Sequence, residues 1–156
     1  MVILTDTGIL LRLFAAADPL HAAVTNATTA LKARGEVLVT AFQNHSEFWN
    51  ACTRPATARG GFGLSIAETS KRLSVIEATI PLLADHASAH PIWRGLVVTH
   101  AVRGKQVHDA KLVALMQAHA ITHILTLNGA DFARYPGITV LDPVAFPPTP
   151  PATAGS

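Results

Sequence analysis

The stretch Val107–Phe132, VHDAKLVALMQAHAITHILTLNGADF, decides the fold. Asp109–His119 carries Val113, Met116 and Ala120 at helical spacing, so it reads as a helix with one apolar face. Ile121–Leu125 is a short apolar run with little alternation, the pattern of a strand buried on both faces. Thr126 ends the strand, and Asn128 with Asp131 fits a cap and an acid at the third position of a following helix. Helix, strand and tight turn into another helix make the repeating unit of a parallel sheet with helical crossovers.

Working outward, the same grammar recurs. Val2–Thr5 is a buried strand ending in Asp6-Thr7-Gly8, and Ile9–Ala17 reads as a short helix. Asp18-Pro19 has the form of a cap followed by a first-turn proline, opening a helix with Leu20, Val24, Ala27 and Leu31 that stops at Gly35. Val37–Val39 is a second strand. Thr40 and Gln43 form a capping-box pair for a helix over Ala41–Cys52 that carries Phe42, Phe48 and Trp49. Ala56–Leu64, with Gly60, Gly61 and Gly63, reads as a long flexible loop; Ser65 and Glu68 then cap a helix to Thr79. Ile80–Leu83 is a short strand candidate, Asp85 or Ala87 starts a helix through Ala101, Arg103–Lys105 is a basic turn and Ile138–Leu141 is a fourth strand. The expectation is one α/β domain over residues 1–143, its central, mostly parallel sheet of four or five strands covered by helices on both faces. Residues 144–156, ending PPTPPATAGS, are expected to form a disordered proline-rich tail.

Composition narrows the class. Hydrophobic residues make up 49% of the 156, enough for a sizeable core, and charged residues only 14%, against a usual ~25%. So little charge, with apolar helix faces at Leu10–Phe14 and Leu20–Leu31, suggests a homodimer. The net charge of +2 permits an anionic partner without demanding one. A single cysteine, Cys52, excludes an intrachain disulfide and a cysteine-based zinc site, and reads as a small core residue. With no secretory pattern and no apolar run of membrane-spanning length, the expected location is the cytosol, with no membrane contact.

The chemistry concentrates in acids. In open α/β sheets ligands bind beyond the carboxyl ends of the strands. Asp6 ends the first strand, Glu47 lies in the helix leaving the second, and Asp131 follows the third. Asp109 reaches the same edge if its helix runs antiparallel to the strands, as crossover helices do. Each has a bland reading. Asp6 and Asp109 can be helix caps, Glu47 shares a polar stripe with Gln43, Asn50 and Arg54, and Asp131 suits a helix dipole. As a set they are more telling, because only ten acids exist in the chain and four fall at one edge. Crowded carboxylates repel and protonate unless a cation joins them. Mg2+ or Mn2+, hard ions that take oxygen ligands, are the natural choice, and in such a site they activate water and orient phosphate. Thr7, Thr126, Asn128, Arg12, Arg54 and Lys111 are candidates for orienting the acids or touching substrate, with Arg59, Arg103 and Lys105 as further cations.

At these residues the sequence resembles the PIN-domain nucleases, and within them the VapC-like toxins of type II toxin–antitoxin pairs. ILTDTGILLRLF looks like the PIN opening with Asp6 as first acid, NHSEFWNACTRP like the segment of the second, Glu47, and VHDAKLVALMQAH like that of the third, Asp109; ILTLNGADF resembles the closing motif. The resemblance spans roughly residues 2 to 142, in order. It implies a three-layer PIN-like sandwich and an endoribonuclease dependent on Mg2+ or Mn2+. Its substrate is RNA, it is usually dimeric, and a small antitoxin protein inhibits it. Two positions depart from the pattern. Gly8 stands where many members have asparagine, and Asn128 where many carry the fourth acid, which leaves Asp131 or Asn128 to complete the catalytic set.

Two rivals stay open. A PIN-like module that binds RNA or protein without cleavage would keep the fold and lose the metal. A magnesium-dependent phosphatase of the haloacid-dehalogenase kind suits ILTDTG, but needs a second Asp where Gly8 stands.

Overall fold

The computed structural model describes residues 1–148. Four strands form one sheet: β1 (Val2–Thr5), β2 (Val37–Val39), β3 (His123–Leu125) and β4 (Thr139–Leu141). Their order is β2-β1-β3-β4 and every pairing is parallel. The helices are α1 (Thr7–Leu13), α2 (His21–Ala33), α3 (Phe42–Thr53), α4 (Ile66–Thr79), α5 (Ala89–Thr99), α6 (Val107–Ala118) and α7 (Gly129–Phe132). The expected fifth strand, Ile80–Leu83, is a single parallel bridge between Thr40 and Leu82.

Successive strand residues point to opposite faces, and both faces are buried. Ile3, Leu38 and Leu125 join Leu10, Val24, Phe48 and Ile76 in one core cluster; Leu4, Val39 and Ile124 join Val113, Met116 and Phe132 in the other. Alternation within three- and four-residue strands thus produces the three-layer sandwich. The apolar faces expected to form a dimer are used internally: Leu10, Val24 and Ala27 are fully buried, and Leu11, Leu13 and Phe14 pack against them.

Several boundaries move for local reasons. α1 starts at Thr7, two residues early, because Asp6 is its cap, and it ends at Leu13 in a run of turns. Asp18 accepts the Leu20 N–H in a turn of its own, so α2 begins at His21. Thr40 does not cap α3. Asn44 Oδ1 reaches back to the Ala41 N–H at 2.9 Å, and the Thr40 hydroxyl meets His45 Nε2. Ser65 caps α4 as expected, whereas the Glu68 side chain pairs with Arg72 instead of closing the box. α5 begins at Ala89, which places Pro91 in its first turn, where a missing N–H costs nothing. α6 begins two residues before Asp109 and ends in a Schellman turn. There Ile121 N–H bonds Met116 O with Ala120 at φ 54, so β3 starts only at His123.

The chain expected to be unstructured from residue 144 remains packed further on. Pro143–Ala145 form a 3-10 turn, Phe146 lies against the first core cluster, and the Arg34 guanidinium stands 5.7 Å from its ring. The rest of that expected tail, residues 149–156, lies outside the described residues.

The glycine-rich loop is not loose. Phe62, Gly63 and Leu64 N–H groups donate to Ala51, Arg54 and Cys52 carbonyls at the end of α3, at 2.8–3.0 Å. A Cβ on Gly61 would sit 2.2 Å from the Pro55 carbonyl oxygen. Gly61→Ala should therefore displace backbone and lower stability by about 1–3 kcal/mol, read as a lower urea midpoint; an unchanged midpoint would show that the loop gives way freely.

Candidate active site

The carboxyl ends of β1 and β3 lie side by side at the point where strand order reverses, since β2 lies on one side of β1 and β3 on the other. Such a reversal opens a crevice at the strand ends. Asp6 follows β1 directly and its N–H bonds the Leu125 carbonyl at 3.0 Å. It is 9% exposed. One carboxylate oxygen accepts the Thr7 N–H at 2.7 Å, the other the Thr126 hydroxyl at 2.7 Å, and Thr126 Oγ1 in turn accepts the Asn128 N–H. Asp6 is thus both the cap of α1 and a fixed acid at the sheet edge.

Glu47 approaches from α3. Its Oε2 accepts the Thr7 hydroxyl at 2.7 Å and its Oε1 accepts Gln43 Nε2 at 2.9 Å. The same Gln43 nitrogen donates to the His108 carbonyl at 3.0 Å, which ties α3 to the first turn of α6. Asn44 donates to Thr7 Oγ1 at 3.2 Å and completes the frame. Asp109 is the third residue of α6, half-buried and not a cap. Asp131 lies exposed in the first turn of α7, and Asn128 precedes that helix without a side-chain cap bond.

Electrostatics tie the four acids together. Burial pushes the Asp109 carboxyl up to about 6, and the charges of Asp131, Asp6 and Glu47 push the same way. Burial raises Asp6 as well, against the lowering effect of its Thr126 and Thr7 hydrogen bonds, with Glu47 and Asp131 adding to the rise. Among the described residues the side-chain ion pairs are Arg12–Asp18 and Arg72–Glu68, so no lysine or arginine neutralises this group. The donors are all hard oxygens, which fits Mg2+ or Mn2+ in kind. The group is not a finished coordination sphere: among the described residues no three His, Cys, Asp or Glu side chains stand close enough to hold one ion jointly.

The other expected residues divide. Thr7 and Thr126 hold acids directly. Arg12 does not reach Asp6; its guanidinium bonds the Gly8 carbonyl and pairs with Asp18. Arg54 caps the far end of α3, about 10 Å along the axis from Glu47. Lys111 is exposed on α6 and lines a neighbouring cavity. Gln43 and Asn44, whose roles here went unforeseen, link Thr7, Glu47 and α6. Tyr135 was also missed: it is 2% exposed, its hydroxyl has no hydrogen-bond partner among the described residues, and the charge of Asp109 helps burial to raise its pKa. As a lone tyrosine in ARYPG it gave no signal in the sequence.

An acid whose folded pKa is raised binds its proton more tightly in the folded state, so it destabilises the fold as pH rises through the window. For Asp109 the window runs from the ordinary value of 3.8 to about 6. In metal-free buffer, Asp109→Asn should match or trail the native chain in Tm near pH 4 and exceed it at pH 7. Equal Tm differences at both pH values would mean that Asp109 titrates normally.

No protein-family model matches the sequence, and no curated protein does. Solved structures do. Over 91% of this chain and 98% of the other, a chain of VapBC2 from Rickettsia felis, bound to a DNA fragment from its promoter, aligns with TM-score 0.68 at 12% identity. VapBC-1 from nontypeable Haemophilus influenzae gives 0.68 at 14% identity, covering 92% and 98%. VapC20 from Mycobacterium tuberculosis, a sarcin-ricin loop cleaving toxin, gives 0.56 at 19%, covering 78% and 86%. The four-stranded parallel sheet between two helical layers is the PIN-like fold of these VapC structures.

Proposed function

We propose that this chain is a metal-dependent endoribonuclease that hydrolyses RNA phosphodiester bonds, and the toxin of a toxin–antitoxin pair. One observation carries the reading: Asp6, Glu47, Asp109 and Asp131 share an edge where, among the described residues, no lysine or arginine pairs with them, in a fold shared with VapC structures. Asp6, Glu47 and Asp109 would hold Mg2+ or Mn2+, with Asp131 or Asn128 assisting. When bound, the ion supplies Lewis acidity toward a phosphate oxygen and lowers the pKa of water. The protein's own part is positioning. Thr7 N–H and the Thr126 hydroxyl fix both oxygens of Asp6, while the Thr7 hydroxyl and Gln43 fix both of Glu47. Asp109 retains a proton up to about pH 6, and its loss leaves a full anion for the cation to meet.

A small antitoxin partner, a homodimer and a cytosolic location belong to the same proposal. No helix of the described residues is long and apolar enough to cross a membrane. Leu10 and Val24 are buried in the core and offer a second copy no surface. α5 is the candidate: none of its residues is fully buried, and Val98 is 72% exposed.

A second reading, the same fold as a binding module without catalysis, draws on the lack of a joint coordination sphere among the described residues. Metal titration separates the two. Millimolar Mg2+ or Mn2+ should raise the Tm of the native chain more at pH 7.5 than at pH 5.5, because protons compete for Asp109, and should do so weakly or not at all in Asp109→Asn. No shift at either pH favours the module. Asp6→Asn and Asp109→Asn should bring metal-dependent RNA cleavage to background while circular dichroism stays native. Full-rate cleavage by purified Asp109→Asn protein, free of contaminating nuclease, would overturn the assignment.

A further inference from the structure

Beside the acids lies a second concavity, of ≈ 420 Å³, walled by the start of α3, the chain entering α5, and α6. That size falls within the roughly 300–1,000 Å³ of pockets that bury small ligands. Its wall includes Phe42, Gln43, Asp85, His90, Trp93 and Lys111. Gln43 is shared with the acidic site, where it holds Glu47.

Core packing accounts for Trp93, which lies against the second core cluster, but not for Phe42. Phe42 opens α3 yet is 64% exposed. Trp93 is fixed in place: its indole N–H donates to the Val107 carbonyl at 3.1 Å, and its ring lies 5.9 Å from that of His90. An exposed ring and an immobilised ring around one hollow form a stacking site whose ordering cost is already met by the fold. Lys111 stands exposed two residues beyond Asp109, and among the described residues no carboxylate pairs with it. It is a free cation on the helix that carries an acid of the site. Asp85 offers an acceptor to the amino edge of a base.

We propose that this cavity seats one nucleotide of a single-stranded RNA next to the bond cleaved at the acids. The base stacks at Phe42 and Trp93, and the adjoining phosphate meets Lys111. This rests on the ribonuclease reading and specifies where substrate lies. An apolar segment of a partner protein would cover the rings but leave Lys111 without a counterion, so RNA is the favoured occupant.

The test uses the cleavage-deficient full chain, Asp109→Asn, with Trp49→Phe added so that Trp93 is the remaining tryptophan. A short single-stranded oligoribonucleotide of mixed sequence should quench its fluorescence saturably. Phe42→Ala should weaken binding about tenfold, a loss typical of one stacked base, and Phe42→Tyr should restore it. Lys111→Ala should weaken binding and reduce the salt dependence by about one counterion. In the otherwise native chain Phe42→Ala should raise KM with kcat nearly unchanged. Phe42 is mostly exposed, so these variants keep the native Tm. RNA binding without a change at Trp93, or with affinity indifferent to Phe42 and Lys111, overturns the proposal. Cleavage by the native chain that Phe42→Ala leaves at the same KM overturns it too, while the ribonuclease reading survives. Phe42-dependent quenching in a chain that never cleaves RNA supports the nucleotide seat and sinks the ribonuclease reading.

Discussion

Like charge held together with no lysine or arginine paired to it among the described residues is the constraint to which this structure answers. Elsewhere the chain pairs three of its acids with a positive group: Asp18 meets Arg12, Glu68 meets Arg72 and Glu36 meets the amino terminus. At the sheet edge it does not. Asp6 and Glu47 are held by an amide N–H, two threonine hydroxyls and a glutamine amide, all neutral donors. Neutral donors orient a carboxylate and replace part of its lost hydration without cancelling its charge. Burial, joined by the charges of Asp131, Asp6 and Glu47, then pushes the Asp109 carboxyl up to about 6. A fold selected only for stability would have placed an arginine here.

The parallel sheet makes that concentration of charge possible. With β2 and β3 on opposite sides of β1, the crossovers diverge and leave the ends of β1 and β3 uncovered. Asp6 and Thr126 occupy those two ends, one bond apart. The helices that follow β1 and β2 bring Thr7 and Glu47 to the same edge, and the helix that precedes β3 brings Asp109. Three segments distant in sequence therefore converge because of topology, and the two apolar cores on either side of the sheet keep them there.

Much of this could be read from residues alone because the strands announce themselves. VILT, VLV and the run before Thr126 are apolar without alternation, and each is followed by a polar residue at the carboxyl edge. The four acids stood out because so few acids exist to choose from. What stayed illegible was set by contacts between distant segments. Nothing in LTDTG says that Thr7 will bridge to a glutamate forty residues on. Nothing in the proline-rich end announces that Phe146 will settle on α2 under Arg34. The helix faces read as a dimer surface turn out to be largely covered by the chain itself, since apolar periodicity shows that a helix face will be covered, not whether its own chain or another covers it.

The capping of α3 shows how a local rule yields to the site. Thr40 and Gln43 have the spacing of a capping box, and closing it would have satisfied two orphan amides at the helix start. The chain uses Asn44 for the Ala41 amide instead, and sends the Thr40 hydroxyl to His45. Gln43 is thereby released to span Glu47 and the His108 carbonyl, one nitrogen serving both. With Gln43 committed to the acids, Phe42 at the first helical position faces outward over the neighbouring cavity. Sequences depart from local preference where function sets the terms. Here a displaced cap, a bridging amide and an exposed ring occur on three consecutive residues, which is hard to attribute to drift in packing.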